Sequence, residues 1–258
     1  MDIATILGLI IATVGILGGY MIEGGSLLGL ISLASALIVL GATIGATFIS
    51  MPIRELKEVP KLLKLVLIEI NYDYSALIDK ITELATIARK EGILALEPLA
   101  QQVDNKFLAN GIMMVVDGMD KEAAKSIMEA EINSVQERHG QRAKIFEVAG
   151  GYCPTMGILG TVMSMVSILK DLSDPGSLGP KIAMAFTATL YGVGFANVFF
   201  FPIAEKLKSK SHQELIYMEI CMEGILSIQA GESPKIITEK LMVFTNQTKK
   251  TSEVAENG

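Results

Sequence analysis

The chain has 258 residues, half of them hydrophobic, with 14 Met, no Trp and 28 acidic against 22 basic side chains, giving a net charge of −6. Such a composition departs from that of an ordinary soluble domain, and a weak negative charge without a basic, aromatic-rich stripe argues against nucleic-acid binding. The charges are segregated: Ile3 to Ile22, Gly24 to Ile53, Val148 to Leu169 and Ile182 to Ala204 contain no Asp, Glu, Lys or Arg, and each window reaches the ~20 apolar residues needed to cross a bilayer.

Four membrane spans are therefore expected, in an all-α integral membrane protein with a helical cytoplasmic domain. The first window follows only Met1 and Asp2, with no basic n-region, and reads as a retained span rather than a cleaved leader. Spans one and two form a hairpin (1–53) turned at Glu23-Gly24-Gly25, with Gly8, Gly15 and Gly19 in one and Gly41 and Gly45 in the other. Small residues at this spacing mark close helix contacts, within the chain or between copies of it.

After Pro52 the run RELKEVPKLLKLVLIEI sets Lys57, Lys61 and Lys64 against leucines, with Pro60 interrupting. It reads either as a helix at the inner membrane surface or as an amphipathic cover of the cytoplasmic domain. That domain (54–147) is helical in pattern, with breaks expected at Gly92, at Asn110-Gly111 and at Asp117-Gly118, and Pro98 suits a first helical turn. Within it, Arg89 and Lys90 precede the Gly92 break and Glu97 follows it; opposite charges across a turn either meet a partner or are simply solvated. Asp120 is placed to cap a long helix running into span three.

Span three, in AGGYCPTMGILGTVMSMVSILK, carries Pro154, Thr155 and Thr161 as its few polar or helix-breaking features. A proline frees a backbone carbonyl, which hydrocarbon tolerates only where protein or water re-satisfies it. The segment thus reads as a wall of an ion or water path or as a kink used for packing. Span four presents Ala188, Gly192 and Ala196 at four-residue spacing for close packing, Thr187 and Thr189 at similar depth, and Pro202 at its inner end. Spans three and four make the second hairpin (148–204). The tail (205–258) returns to charged helix, breaks at Gly231-Glu232-Ser233-Pro234, and ends in TKKTSEVAENG, which lacks apolar periodicity and reads as disordered.

Lys and Arg cluster after span two, before span three and after span four, whereas the links 23–25 and 171–179 contain none. The positive-inside rule then puts both termini and the large middle segment in the cytoplasm. No GxSxG, HExxH, P-loop or CxxC pattern occurs. Cys153 and Cys221 suggest neither a disulfide framework nor a metal site, and His139 and His212 lack companion ligands. No enzyme activity, metal or cofactor is expected. The spans offer hydroxyls but no Asp, Glu, His, Lys or Arg well inside them, so an ion-conducting role requires a carboxylate from another subunit.

ARKEGILALE, YCPTMGILGTVMSMV, AFTATLYGVGFANVFFFPIAEKLK and EGILSIQAGESPKIITEKL, in that order and together spanning the chain to about Leu241, resemble the MotA/PomA family of bacterial flagellar stator subunits. The resemblance implies a ring of five copies around a dimer of a MotB/PomB-like single-span partner that supplies the Asp carboxylate. It implies passage of H+ or Na+ past that carboxylate, and torque delivered to the rotor protein FliG. By motif, Arg89 and Glu97 match the rotor-facing charged pair, with Lys90 beside it; Pro154 matches the span-three proline and Pro202 the one at the cytoplasmic end of span four, and Thr161 and Thr189 match positions near the ion site. ExbB/TolQ-like energisers resemble spans three and four but lack the amino-terminal hairpin and the ARKEG and QAGESP segments. A solute transporter would be expected to show repeats or broken helices around a midplane polar site; a non-conducting scaffold is the remaining alternative.

Overall fold

A computed structural model describes residues 2–170 and 175–244. The TKKTSEVAENG end and part of the 171–179 link lie outside them. Among the described residues every regular element is helical. In chain order these are α1 (Ile3–Ile22), α2 (Leu33–Ala36, a π turn at Leu37–Gly41, then Ala42–Ser50), α3 (Ile53–Leu56), α4 (Val59–Leu67), α5 (Tyr74–Glu91), α6 (Glu97–Ala100), α7 (Lys106–Val116), α8 (Lys121–Lys170), α9 (Pro175–Phe195), α10 (Phe201–Gln229) and α11 (234–244). A second π turn, Ala196–Phe200, joins α9 to α10. Four helical stretches have the length and apolarity to cross a membrane: Ile3–Ile22, Leu27–Ser50, and parts of Lys121–Lys170 and Leu178–Gln229.

The chain divides into two units, the described residues of Met1–Glu69 with His139–Ser209, and of Ile70–Arg138 with Lys210–Gly258. Residues 54–69, 139–147 and 205–209 thus fall with the spans. The reason is a shared apolar core: Leu62 and Val66 of α4 are buried with Ala143 and Phe146 of α8 and Ala204 and Leu207 of α10. Arg142 and Glu58 add an ion pair at 2.6 Å. Pro60 does not interrupt this segment. It occupies the first turn of α4, where its missing N–H is no loss, and the break falls before it, between α3 and α4. The face carrying Lys57, Lys61 and Lys64 stays exposed, so α4 covers helices of the span unit while turning its lysines outward.

At the foot of span one, the Asp2 carboxylate accepts the Thr5 N–H at 3.1 Å and an ion pair from Lys206 at 2.6 Å, while its own N–H donates to the Leu67 carbonyl at 2.9 Å. Burial alone would push the Asp2 pKa up, but the hydrogen bonds from Lys206 and Thr5 outweigh it and hold the carboxyl below its ordinary value. Lys208 pairs with Glu147 and, at 2.8 Å, with Glu205, and these hydrogen bonds raise its pKa.

The second unit closes around Ile81, Leu84, Leu108, Ile112, Ile220 and Ile237, contributed by α5, α7, α10 and α11. Asp120 caps α8 through its carboxylate, which accepts the Glu122 N–H at 3.1 Å. From there α8 continues for 50 residues, ~75 Å at 1.5 Å per residue. The break expected at Asn110-Gly111 is absent: α7 runs through both residues. Gly111 is small because Ile225 packs there, its Cδ1 only 2.3 Å from where a Cβ would stand. Helix propensity disfavours glycine, but packing decides this position. The turn after α10 is closed by Gly231, at φ +70°, with its N–H on the Ile228 carbonyl and the Glu232 N–H on the Ser227 carbonyl. Glu232 then pairs with Lys240 of α11 at 2.6 Å, which lowers the pKa of the acid and raises that of the lysine.

Candidate functional site

Spans three and four meet backbone to backbone. A Cβ on Gly192 would stand 2.8 Å from the Cys153 carbonyl and 2.9 Å from the Gly157 Cα, and one on Gly160 would be 2.8 Å from the Ala188 Cβ. The Ala188, Gly192 and Ala196 face therefore packs closely, as its spacing predicts, and its partner within the chain is span three. Val39, Cys153, Ala188 and Ala196 form the buried cluster beside it. Val39 comes from one π turn and Ala196 from the other. A π turn shifts the helix phase by an extra residue and so re-aims side chains. Both cysteines are free and buried.

This approach brings Thr161 and Thr189 together. Their hydroxyl oxygens lie 2.5 Å apart, and Thr161 Oγ1 is also 3.1 Å from the carbonyls of Gly157 and Ala185. Thr161 has one proton to donate. Thr189 donating to Thr161, and Thr161 to a carbonyl, satisfies the group and leaves four oxygens clustered between two spans. Hydroxyl and carbonyl oxygens so gathered are what replaces the hydration shell of a passing cation. The helix carbonyls were invisible to motif reading, since any residue supplies one.

The other predicted path residues are dispersed. Pro154, half-buried, lies within α8 and removes the donor for the Gly150 carbonyl; Gly150 is covered by the Phe201 ring, whose Cε1 would be 2.8 Å from an added Cβ. Thr155 is exposed and donates at 2.7 Å to the Tyr152 carbonyl of its own helix. Six residues at ~100° each turn it well away from the Thr161 face. Tyr152 reaches span two instead, its hydroxyl 2.8 Å from Ser50 Oγ. Pro202 lines an apolar groove of about 520 Å3 with Ala4, Gly8, Leu67 and Lys206, against span one.

In the second unit, α5 ends at Gly92, whose φ of +90° lets the chain reverse into the 3-10 turn Ile93–Leu96 and then α6. Pro98 sits in the first turn of α6. Arg89, Lys90 and Glu97 are all exposed, beside a Leu94 that is 71% exposed. None of the three charges is ion-paired, with one another or with any other described residue. Arg89 also borders a groove of about 450 Å3 whose far wall is the turn Gln229, Gly231 and Glu232, so ARKEG and QAGESP, far apart in sequence, meet there.

The model of the MotA/TolQ/ExbB proton channel family matches residues 99–220, and that of the Motility protein A N-terminal region matches residues 6–92. Motility protein A of Bacillus subtilis is 39% identical over 95% of this chain and 91% of the relative. The chain belongs to the MotA/TolQ/ExbB proton channel family. Among solved structures, C. jejuni MotAB superposes with a TM-score of 0.89 at 34% identity, covering 95% of this chain and 96% of the other. The flagellar MotAB stator complex of Bacillus subtilis gives 0.88 at 38% identity, over 96% and 97%. The protein is an all-α membrane protein of four spans, and a flagellar stator subunit rather than an ExbB/TolQ-type energiser, because the match to Motility protein A includes the amino-terminal hairpin.

Proposed function

We propose that this subunit, as a ring of copies in the inner membrane around a MotB-like single-span partner, passes H+ or Na+ between the Thr161–Thr189 oxygens and a carboxylate supplied by that partner. Pro154 shapes the same span, whereas Thr155, turned away from Thr161, and Pro202, in the groove against span one, border the path only where another chain of the complex closes against them. The ion flow drives rotation, and Arg89, Lys90 and Glu97 of the cytoplasmic unit transmit it to a rotor protein of the FliG type. The observation that carries this reading is a pairing of opposites: the charge-free windows hold no titratable carboxylate, yet a cluster of oxygens sits between spans three and four. The solved relatives named as MotAB complexes support the partner. One elementary charge crossing 100 mV releases about 2.3 kcal/mol, enough to bias a symmetric ring between equivalent neighbouring positions.

The test is complementation of a stator-deleted host by the chain co-expressed with its partner, with swimming followed as sodium and pH are varied. Swimming is expected to return. The double reversal Arg89→Glu with Glu97→Lys should cut torque severalfold while ion flux through the assembled complex is kept, because unpaired exposed charges act on a partner rather than on the fold. Equal loss of torque and flux would refute the rotor-facing role.

A further inference from the structure

Span two does not begin as a continuous α-helix. Leu27–Leu30 is a 3-10 turn, and Ile31 and Ser32 are extended, at φ −86° and −131°, before α2 starts at Leu33. This break lies inside the charge-free window Gly24–Ile53, and backbone groups freed within a membrane span need partners. One side chain supplies two of them. The Tyr191 hydroxyl of span four donates to the Leu30 carbonyl at 2.5 Å and accepts the Ser32 N–H at 3.2 Å. A second tie lies close by: Ser35 Oγ donates to the Met184 carbonyl of span four at 3.2 Å. The next carbonyl, Ala185, is the one within 3.1 Å of Thr161 Oγ1. Spans two and three therefore grip span four at consecutive peptide groups, and Tyr191 stands two residues beyond Thr189 on the same helix.

We propose that Tyr191, with Ser35, is a positioning element that sets the rotation of span four about its axis and thereby the placement of the Thr161–Thr189 oxygens. This inference rests on the ion-path reading above. Span four cannot turn relative to span two without parting the phenol from both backbone groups, which would leave a carbonyl and an N–H unpaired at the broken end. The Tyr191 ring also meets Phe195, one turn on along the same helix, edge-on at 6.0 Å between centroids.

Tyr191→Phe removes the hydroxyl and keeps the ring. In the complex with its single-span partner, expressed in a stator-deleted host, it is expected to raise the ion concentration for half-maximal swimming about fivefold, the equivalent of one net hydrogen bond, at an unchanged level of assembled complex. Ser35→Ala should shift the same midpoint in the same direction by less. Thr161→Val, measured alongside, separates the two layers of the argument. If it shifts the ion dependence and neither Tyr191→Phe nor Ser35→Ala does, the positioning role is overturned and the ion path stands. If Thr161→Val leaves the ion dependence unchanged, the ion path falls and this inference with it. Should Tyr191→Phe fail to assemble, Ser35→Ala decides: a shifted midpoint supports the role and an unshifted one overturns it.

Discussion

Span one and the hairpin of spans three and four carry the same sequence signature, small residues at helical spacing in an uncharged window, and the structure treats them in opposite ways. In the hairpin, Gly157, Gly160 and Gly192 are small because another helix occupies the space a side chain would need. In span one, no residue is buried, and a Cβ on Gly8, Gly15, Gly18 or Gly19 would meet nothing within 4 Å. Gly41 and Gly45 of span two are equally open. The pattern therefore marks a surface suited to close approach and does not say whose surface fills it. Span one is held at its foot, by the bonds of Asp2 to Lys206 and Leu67, rather than along its length.

The sharpest way to break this contrast is Gly192→Val. Its Cβ would collide with the carbonyl of Cys153 and the Cα of Gly157, backbone atoms that cannot rotate aside. Overpacking costs about 1–3 kcal/mol, and occasionally more. The variant should accumulate poorly and melt early in detergent, and the Thr161–Thr189 contact should be lost with it, so that swimming is abolished. A normal melting temperature would mean that spans three and four are not in backbone contact.

The contrast also explains what could be read in advance. Charge-free windows located the spans, because hydrocarbon forbids isolated charges, and the Asp120 cap and the Gly92 turn were legible because each has a local chemical cause. Asn110-Gly111 misled because the same residue type that ends helices also admits a neighbour's side chain, and Ile225, more than a hundred residues away, is not a local cause. The Thr161–Thr189 meeting depends on the close approach at Gly192, again a tertiary fact. The two π turns and the hydroxyl bridge of Tyr191 leave no sequence period or motif, so only coordinates disclose them. The unpaired state of Arg89, Lys90 and Glu97 could not be read from spacing either, since residues flanking a turn can equally bond across it.

A smaller effect is expected where span one is fastened. Asp2→Asn keeps the helix cap and removes the charge facing Lys206. The Asp2 carboxyl is held below its ordinary pKa of 3.8, so its pairing contributes fully at neutral pH and is lost as pH falls through the lowered folded value. The variant should be less stable than the parent by about 1.5 kcal/mol at pH 7, and the two melting curves should converge on acidification below pH ~4. A difference that persists unchanged into that range would show that the carboxylate's charge is not what fastens span one.

The smallest effect is expected in the middle of span one, and it is the one that sharpens the comparison most. Gly15→Ala meets open space and improves helix propensity by up to about 1 kcal/mol, so the single chain should be expressed and should melt at or slightly above the parent. The measurement that matters is the assembled complex, followed by size-exclusion chromatography in detergent and by swimming. If assembly is unchanged, a lipid chain, which can move aside, suffices to cover this face. If assembly falls while the chain itself is intact, a methyl group has met something rigid, a helix of another chain in the complex. The open glycines of span one would then do between chains what Gly157 and Gly192 do within one, and the two regions would differ in the partner they approach rather than in the physics of the approach.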